Sequence, residues 1–247
     1  MNIDILGSSG GVGGQSGSTS LLISNRILVD AGSGLGALSL ERMRGIEAVF
    51  ITHSHMDHIS ALPPFLANLF GHRTTPLPIY ALPETIEVLK SCIFNGQIWP
   101  DFTAIPSAAD PIIEFRALTP WQTLRHNELS LTPFSVEHTV PTVGYSIQDQ
   151  NQHFVFCADS KSSAEFIDQL NRLPAIHTLM IECSFPDRYQ QLADMSGHLT
   201  PQTLYNTVQK LLQAPQQVWI THLKPAYEDE LRALFSQDTR FNNWRVL

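Results

Sequence analysis

Four side chains able to bind a metal fall within residues 53–58 of this 247-residue chain: His53, His55, Asp57 and His58. Imidazole nitrogens and a carboxylate suit a borderline divalent ion such as zinc. The chain carries ten histidines in all, so this packing of ligand types points to chemistry rather than to a polar loop rich in histidine. The run before it, Ala48, Val49, Phe50 and Ile51, is apolar and short, with three positions β-branched or aromatic. Such a run predicts a buried strand. The ligands then stand at a strand end and in the loop leading to the next helix. If the extended backbone continues, alternate side chains share a side. His53, His55 and Asp57 would face one way and His58 the other, a set able to supply two metals.

Three further candidates adjoin apolar runs farther along. His138 follows residues 129–136, Asp159 follows residues 154–158, and His222 follows residues 217–220. Each is expected at a strand end, and all three could project at the same edge as the first cluster. His198 lies in Gly197-His198-Leu199-Thr200-Pro201, where Thr200 is a suitable N-cap and Pro201 a suitable first residue for a helix. His72, His126, His153 and His177 lack these settings and read as structural or surface histidines.

The elements that must position these residues are legible in outline. Residues 2–7 read as a strand and 19–24 as a second. The Gly- and Ser-rich stretch between them lacks G-x-x-x-x-G-K-[ST] and reads as a loop joining two antiparallel strands. A turn at Asn25-Arg26 leads into a strand over 27–30. Residues 35–43 are expected to be helical with a stop at Gly45. Residues 59–70 are expected to be mainly helical, with Pro63-Pro64 in the first regular turn. Residues 77–81 predict a strand and 83–93 a helix. Residues 94–102 break the periodicity; Trp99 and Phe102 read either as anchors of that loop or as an apolar wall for a purine base. Strands at 143–147 and 178–181, a helix over 160–173 capped by Ser162 or Ser163, a helix over 227–235 and a tail strand near Trp244 complete the outline. No repeat or linker divides residues 1–247, which read as one domain.

Composition limits the partners. The net charge is −8 with His neutral, which argues against broad phosphate neutralisation on a nucleic acid. Cys92, Cys157 and Cys183 are odd in number and widely spaced, so free thiols in a reducing compartment are expected. No signal-peptide pattern or membrane-spanning apolar run is visible. A cytoplasmic protein is expected.

The H-x-H-x-D-H motif after a buried strand resembles the signature of metallo-β-lactamase-fold hydrolases. That resemblance implies an α/β fold, a four-layer αββα sandwich with the metal site at one edge of the sheets. Several stretches narrow it: Asn95 to Phe102, His138 to Tyr145, Glu182-Cys183-Ser184-Phe185, Gly197 to Pro201, and Ile220 to Pro225. Together they resemble class II 3′,5′-cyclic nucleotide phosphodiesterases. This implies hydrolysis of cyclic AMP, and often cyclic GMP, to the 5′-monophosphate by attack of a hydroxide shared between two divalent ions. Zinc is the expected metal, with manganese or iron(II) as alternatives. By resemblance His53, His55 and His138 bind one ion, Asp57, His58 and His222 the other, and Asp159 both. Asp57 is also expected to accept a hydrogen bond from the nucleophile, and His198 is the candidate to protonate the leaving alkoxide. Asn95, Trp99, Phe102 and Thr142 are the residues given to the substrate. Asp30 reads as a plain turn residue or, as the resemblance implies, as a residue holding the metal-site loops. A homodimer is compatible with the family. A tRNA 3′-end processing nuclease shares the ligand order, but the basic Gly/Pro-rich arm expected of one is not found here. A non-catalytic nucleotide sensor would lack a ligand, and none is missing.

Overall fold

Antiparallel pairing gives way to parallel pairing halfway across each of two seven-stranded sheets. The computed structural model describes residues 1–247, which form two compact units. One comprises Asn2–Ser8 and Ser16–Leu118, the other Met1, Ser9–Gln15 and Thr119–Leu247.

In the first unit Ser20–Ile23 pairs antiparallel with Ile3–Ser9 and with Ile27–Val29. The sheet continues in parallel through Ala48–Phe50, Leu77–Ala81 and Ile113–Ala117. Ile27–Val29 and Ala48–Phe50 are wholly buried, which explains why they read as unbroken apolar runs. Leu22, Leu28, Val49, Phe65, Ile79 and Ile113 lie in one core cluster. Parallel strands end at the same edge, so Asp30 and Thr52-His53 emerge side by side.

In the second unit Leu124–His126, Leu129–Val136, Thr142–Gln148 and His153–Phe156 form an antiparallel meander. Thr178–Glu182, Gln217–Thr221 and Arg245–Val246 then add in parallel. Phe134, Val155, Phe166, Ile181, Leu204 and Ile220 share its core. Asp159, Glu182 and His222 fall at the carboxyl ends of three successive parallel strands. Val136 pairs with Thr142, which brings the connecting turn and His138 to that same edge.

The helices differ from the expectations where propensity is weak. Residues 35–43 are a 3₁₀ turn, Ser33–Ala37, and a separate helix, Leu40–Arg44. Gly34 and Gly36 disfavour an unbroken helix, and extended Ser39 caps the second piece by accepting from Arg42 N. Leu62–Ala67 starts at a proline-rich first turn as expected. The helix at Pro83–Val88 widens into a π turn over Leu89–Ile93. Ser163, rather than Ser162, caps Ala164–Asn171. Gln190–Ser196 is an additional helix, stopped by Gly197 at φ +70. No helix is long and apolar enough to cross a membrane.

Thr200 caps Pro201–Gln209 in a reciprocal capping box with Thr203. The substitution Thr200→Ala removes one side of that box. It should lower stability by about 1 kcal/mol, read as a lower urea midpoint at unchanged m-value.

Candidate metal centre

The first unit contributes a cluster built on one buried carboxylate. Asp30 is fully buried at the end of Ile27–Val29. It accepts from Thr52 N at 2.8 Å, Thr52 Oγ1 at 2.8 Å and His58 Nδ1 at 2.7 Å. Burial pushes its carboxyl above the usual range, against the pull of the His58 and Thr52 bonds. With its O–H donated to Asp30, Thr52 Oγ1 is an acceptor for His53 Nδ1 at 3.0 Å. Both imidazoles thus carry the proton on Nδ1 and keep the Nε2 lone pair for coordination. The backbone turns helical at Met56–Ile59, with His55 as N-cap, so the alternation expected over residues 53–58 stops at His55. The ligand atoms consequently pair as His53 with His55 and Asp57 with His58, each pair within 4.8 Å.

The second unit contributes a carboxylate flanked by two imidazoles. His138 Nε2 stands 3.8 Å from Asp159 Oδ2, and His222 Nε2 3.2 Å from Asp159 Oδ1. His138 donates Nδ1–H to Gly197 O at 2.8 Å. Burial holds its imidazole below the ordinary range, with Asp159 opposing. Ser184 Oγ donates to Glu182 at 2.8 Å and accepts from His222 Nδ1 at 3.1 Å. The same Nδ1 arrangement therefore recurs, and the two oxygens of Asp159 each face one Nε2.

Glu182 is the hub of this half. Its buried carboxylate accepts from His198 Nδ1 at 2.6 Å, Ser184 Oγ, Ser160 N at 3.2 Å and Leu199 N at 3.3 Å. Burial opposes a charge on His198, but the Glu182 carboxylate outweighs it and raises the pKa. His198 lies two residues before the N-cap Thr200, not in the helix itself, and is placed by Glu182 rather than by the helix end.

Two glycines are required by close approach. A Cβ on Gly10 would lie 2.6 Å from His222 O and 2.9 Å from its Nδ1. A Cβ on Gly197 would lie 2.7 Å from His138 Nδ1. The Gly-rich loop is tied here by Gly10 N to Leu223 O at 3.0 Å and by Lys224 Nζ to Gly10 O at 2.9 Å.

Of the residues assigned to substrate, Asn95, Trp99 and Phe102 belong to the first unit and Thr142 to the second. Asn95 Oδ1 closes a turn on Gln97 N and Ile98 N, both at 2.9 Å. Phe102 is buried in the first unit's core, 6.0 Å from the Phe94 ring, and Trp99 packs partly against that core. Thr142 donates to Val140 O at 2.8 Å in the second unit. His153 is a structural histidine, held by Ser146 Oγ and Ala175 O. Burial pushes the Cys157 and Cys183 thiols up, away from nucleophilic use. Residue types alone do not single out Thr52, Ser184 or the hub role of Glu182. The available signal was a carboxylate at the end of a buried strand, which must find donors. The imidazole and carboxylate donors fit borderline divalent ions.

The family model described as a beta-lactamase superfamily domain matches residues 25–223. The 3′,5′-cyclic-nucleotide phosphodiesterase 1 of Saccharomyces cerevisiae is 28% identical over 240 residues, covering 81% of this chain. The chain spans 63% of that relative's length. Ribonuclease Z of Treponema pallidum is 31% identical over 130 residues, 51% of this chain and 39% of that protein. The crystal structure of the metallo-beta-lactamase fold protein YhfI from Bacillus subtilis matches with a TM-score of 0.74 and 21% identity. It covers 99% of this chain and 94% of that one. That likeness shows the fold, the metallo-β-lactamase fold that the H-x-H-x-D-H motif implies.

Replacing Asp30 by Ala removes the acceptor that orients His58 and Thr52. Affinity for divalent metal should fall by roughly 10–100-fold, measured by competition with a metallochromic chelator, with the far-UV spectrum retained.

Proposed function

Because this chain belongs to the beta-lactamase superfamily, we propose that it is a dinuclear, zinc-dependent phosphodiesterase that opens 3′,5′-cyclic nucleotides to 5′-monophosphates. The observation that carries the reading is the similarity to a curated cyclic-nucleotide phosphodiesterase across 81% of the chain. The donor chemistry of both clusters supports it. His53, His55 and His138 would hold one ion, Asp57, His58 and His222 the other, with an Asp159 oxygen for each. When bound, such ions lower the pKa of a water and offset charge on a phosphodiester.

The chain's own residues divide the remaining work. The Nδ1 bonds to Thr52, Asp30, Gly197 and Ser184 keep four imidazoles in the tautomer that can coordinate. Asp57 accepts a hydrogen bond from the attacking water. As the new P–O bond forms, the P–O3′ bond breaks, and O3′ needs a proton. His198 supplies it from Nε2, since its Nδ1 proton is committed to Glu182. The buried Glu182 stabilises the charged imidazole before transfer and fixes its direction.

The ribonuclease Z match gives a second reading, cleavage of precursor tRNA. It covers half of the chain, and the net charge of −8 does not favour a polyanion. The two are separated by incubating zinc-loaded protein with 3′,5′-cyclic AMP or precursor tRNA and resolving the products by chromatography. Formation of 5′-AMP is expected, and Asp57→Ala should lower the rate by about 100-fold or more. Survival of cyclic AMP alongside tRNA trimming would replace the first reading by the second.

His198→Ala should lower kcat for cyclic AMP by roughly 10²–10⁴. Hydrolysis of bis(4-nitrophenyl) phosphate, whose leaving group departs without a proton, should fall far less. Equal losses on both substrates would remove His198 from the proton-donor role.

A further inference from the structure

Aromatic rings run outward from His198 within the second unit. The Phe185 ring lies 5.8 Å from that of His198 and 5.8 Å from that of Tyr227. Tyr227 in turn lies 5.0 Å from Tyr189. Arg188 places its guanidinium 4.7 Å over Tyr189 and 6.0 Å over Tyr227, and is held there by Glu230.

Core packing does not account for this series. Phe185 is only 8% exposed, yet it stands outside the hydrophobic core cluster of its unit, as does half-buried Tyr189. Tyr227 touches that core with one flank and is otherwise half-exposed. The rings are nonetheless firmly placed. Phe185 follows Glu182 by three residues, and its N–H reaches Leu199 O at 3.3 Å. Tyr227 follows His222 by five, and its N–H reaches Lys224 O at 2.9 Å. The strand ends that carry Glu182 and His222 therefore also fix the two inner rings.

We infer that Phe185, Tyr227 and Tyr189 form the shelf on which the nucleobase lies, with the base stacked on Tyr227. This rests on the cyclic-nucleotide reading above. Aromatic faces bind any base through its π-face, so the shelf selects by stacking area. It favours purines over pyrimidines and does not separate adenine from guanine. It also places the base one ring beyond Phe185, whose own ring lies next to that of His198. By contrast, Phe102 is committed to the core of the other unit and Asn95 to its own turn.

Steady-state kinetics with cyclic AMP, cyclic GMP and cyclic UMP test the assignment on the zinc-loaded full chain. Tyr227→Ala should raise KM for both purine substrates about ten-fold, hold kcat within about two-fold and abolish the preference over cyclic UMP. Tyr227→Phe keeps the ring and should keep the wild-type KM. If Tyr227→Ala does not fold, Tyr189→Ala at the outer end carries the same test, with an expected KM rise of about three-fold. A wild-type enzyme that hydrolyses cyclic AMP, with an alanine variant of unchanged KM, overturns the shelf and leaves the phosphodiesterase reading intact. A wild-type protein inert toward all three substrates overturns the substrate reading, and the shelf with it.

Discussion

Coordination by a neutral imidazole requires that one ring nitrogen keep its lone pair, and the surest way to arrange this is to give the other nitrogen's proton an acceptor. Both clusters depend on that condition. Thr52 Oγ1, Asp30, Gly197 O and Ser184 Oγ each receive an Nδ1 proton from one candidate ligand. The two hydroxyls can accept because each directs its own O–H at a buried carboxylate, Asp30 or Glu182. Two buried acids therefore set the tautomers of histidines from the strand ends around them. A buried carboxylate without such donors would cost several kcal/mol, so the hydrogen bonds that orient the ligands also make the acids tolerable in the interior.

Sheet architecture supplies the acceptors. In each sheet the parallel half gathers carboxyl ends at one edge, and Asp30, Asp159, Glu182 and His222 all stand at such ends. The chain must turn sharply there. Asp30 has φ +58, Ala158 +53 and His222 +62, left-handed values that cost a non-glycine residue about 1–2 kcal/mol. At Asp30 and Ala158 the strain persists because the strands behind them are wholly buried and fix where the turn begins, and at His222 the last two residues of the preceding strand are buried. At Gly10 the limit is space, since a methyl group would strike His222, and at Gly197 a left-handed backbone adds to the clash with His138. These positions tie backbone conformation directly to ligand placement.

Parts of this arrangement are legible in residue order. Ala48–Phe50 and Thr178–Glu182 read as strands because a fully buried strand needs no alternation, only a short apolar run. Thr200-Pro201 marks a helix start because cap chemistry is local. Residues 35–43 are less legible, since Gly34, Gly36 and Ser39 weaken an otherwise helical pattern. Gln190–Ser196 is not legible as a helix because its stop signal, Gly197, reads equally as the lead-in to the helix at Pro201.

The sequence by itself determined the donor inventory and the order in which it meets strand ends, because ligand chemistry belongs to residue types and strand signals to short windows. It also implied the family through the H-x-H-x-D-H motif. The pairing of His53 with His55 and of Asp57 with His58 is implied in the sequence only through the resemblance, while strand alternation misplaces Asp57; its physical cause, the backbone turning helical at Met56, belongs to the tertiary structure. Tertiary structure alone joined Asp30 to Thr52 and His58, 22 and 28 residues away, and Glu182 to His198 across 16. It also committed Phe102 to a core while leaving Phe185 beside His198. Such pairings are made by neighbouring strands and long loops, and no local pattern encodes which distant acceptor a buried imidazole will meet.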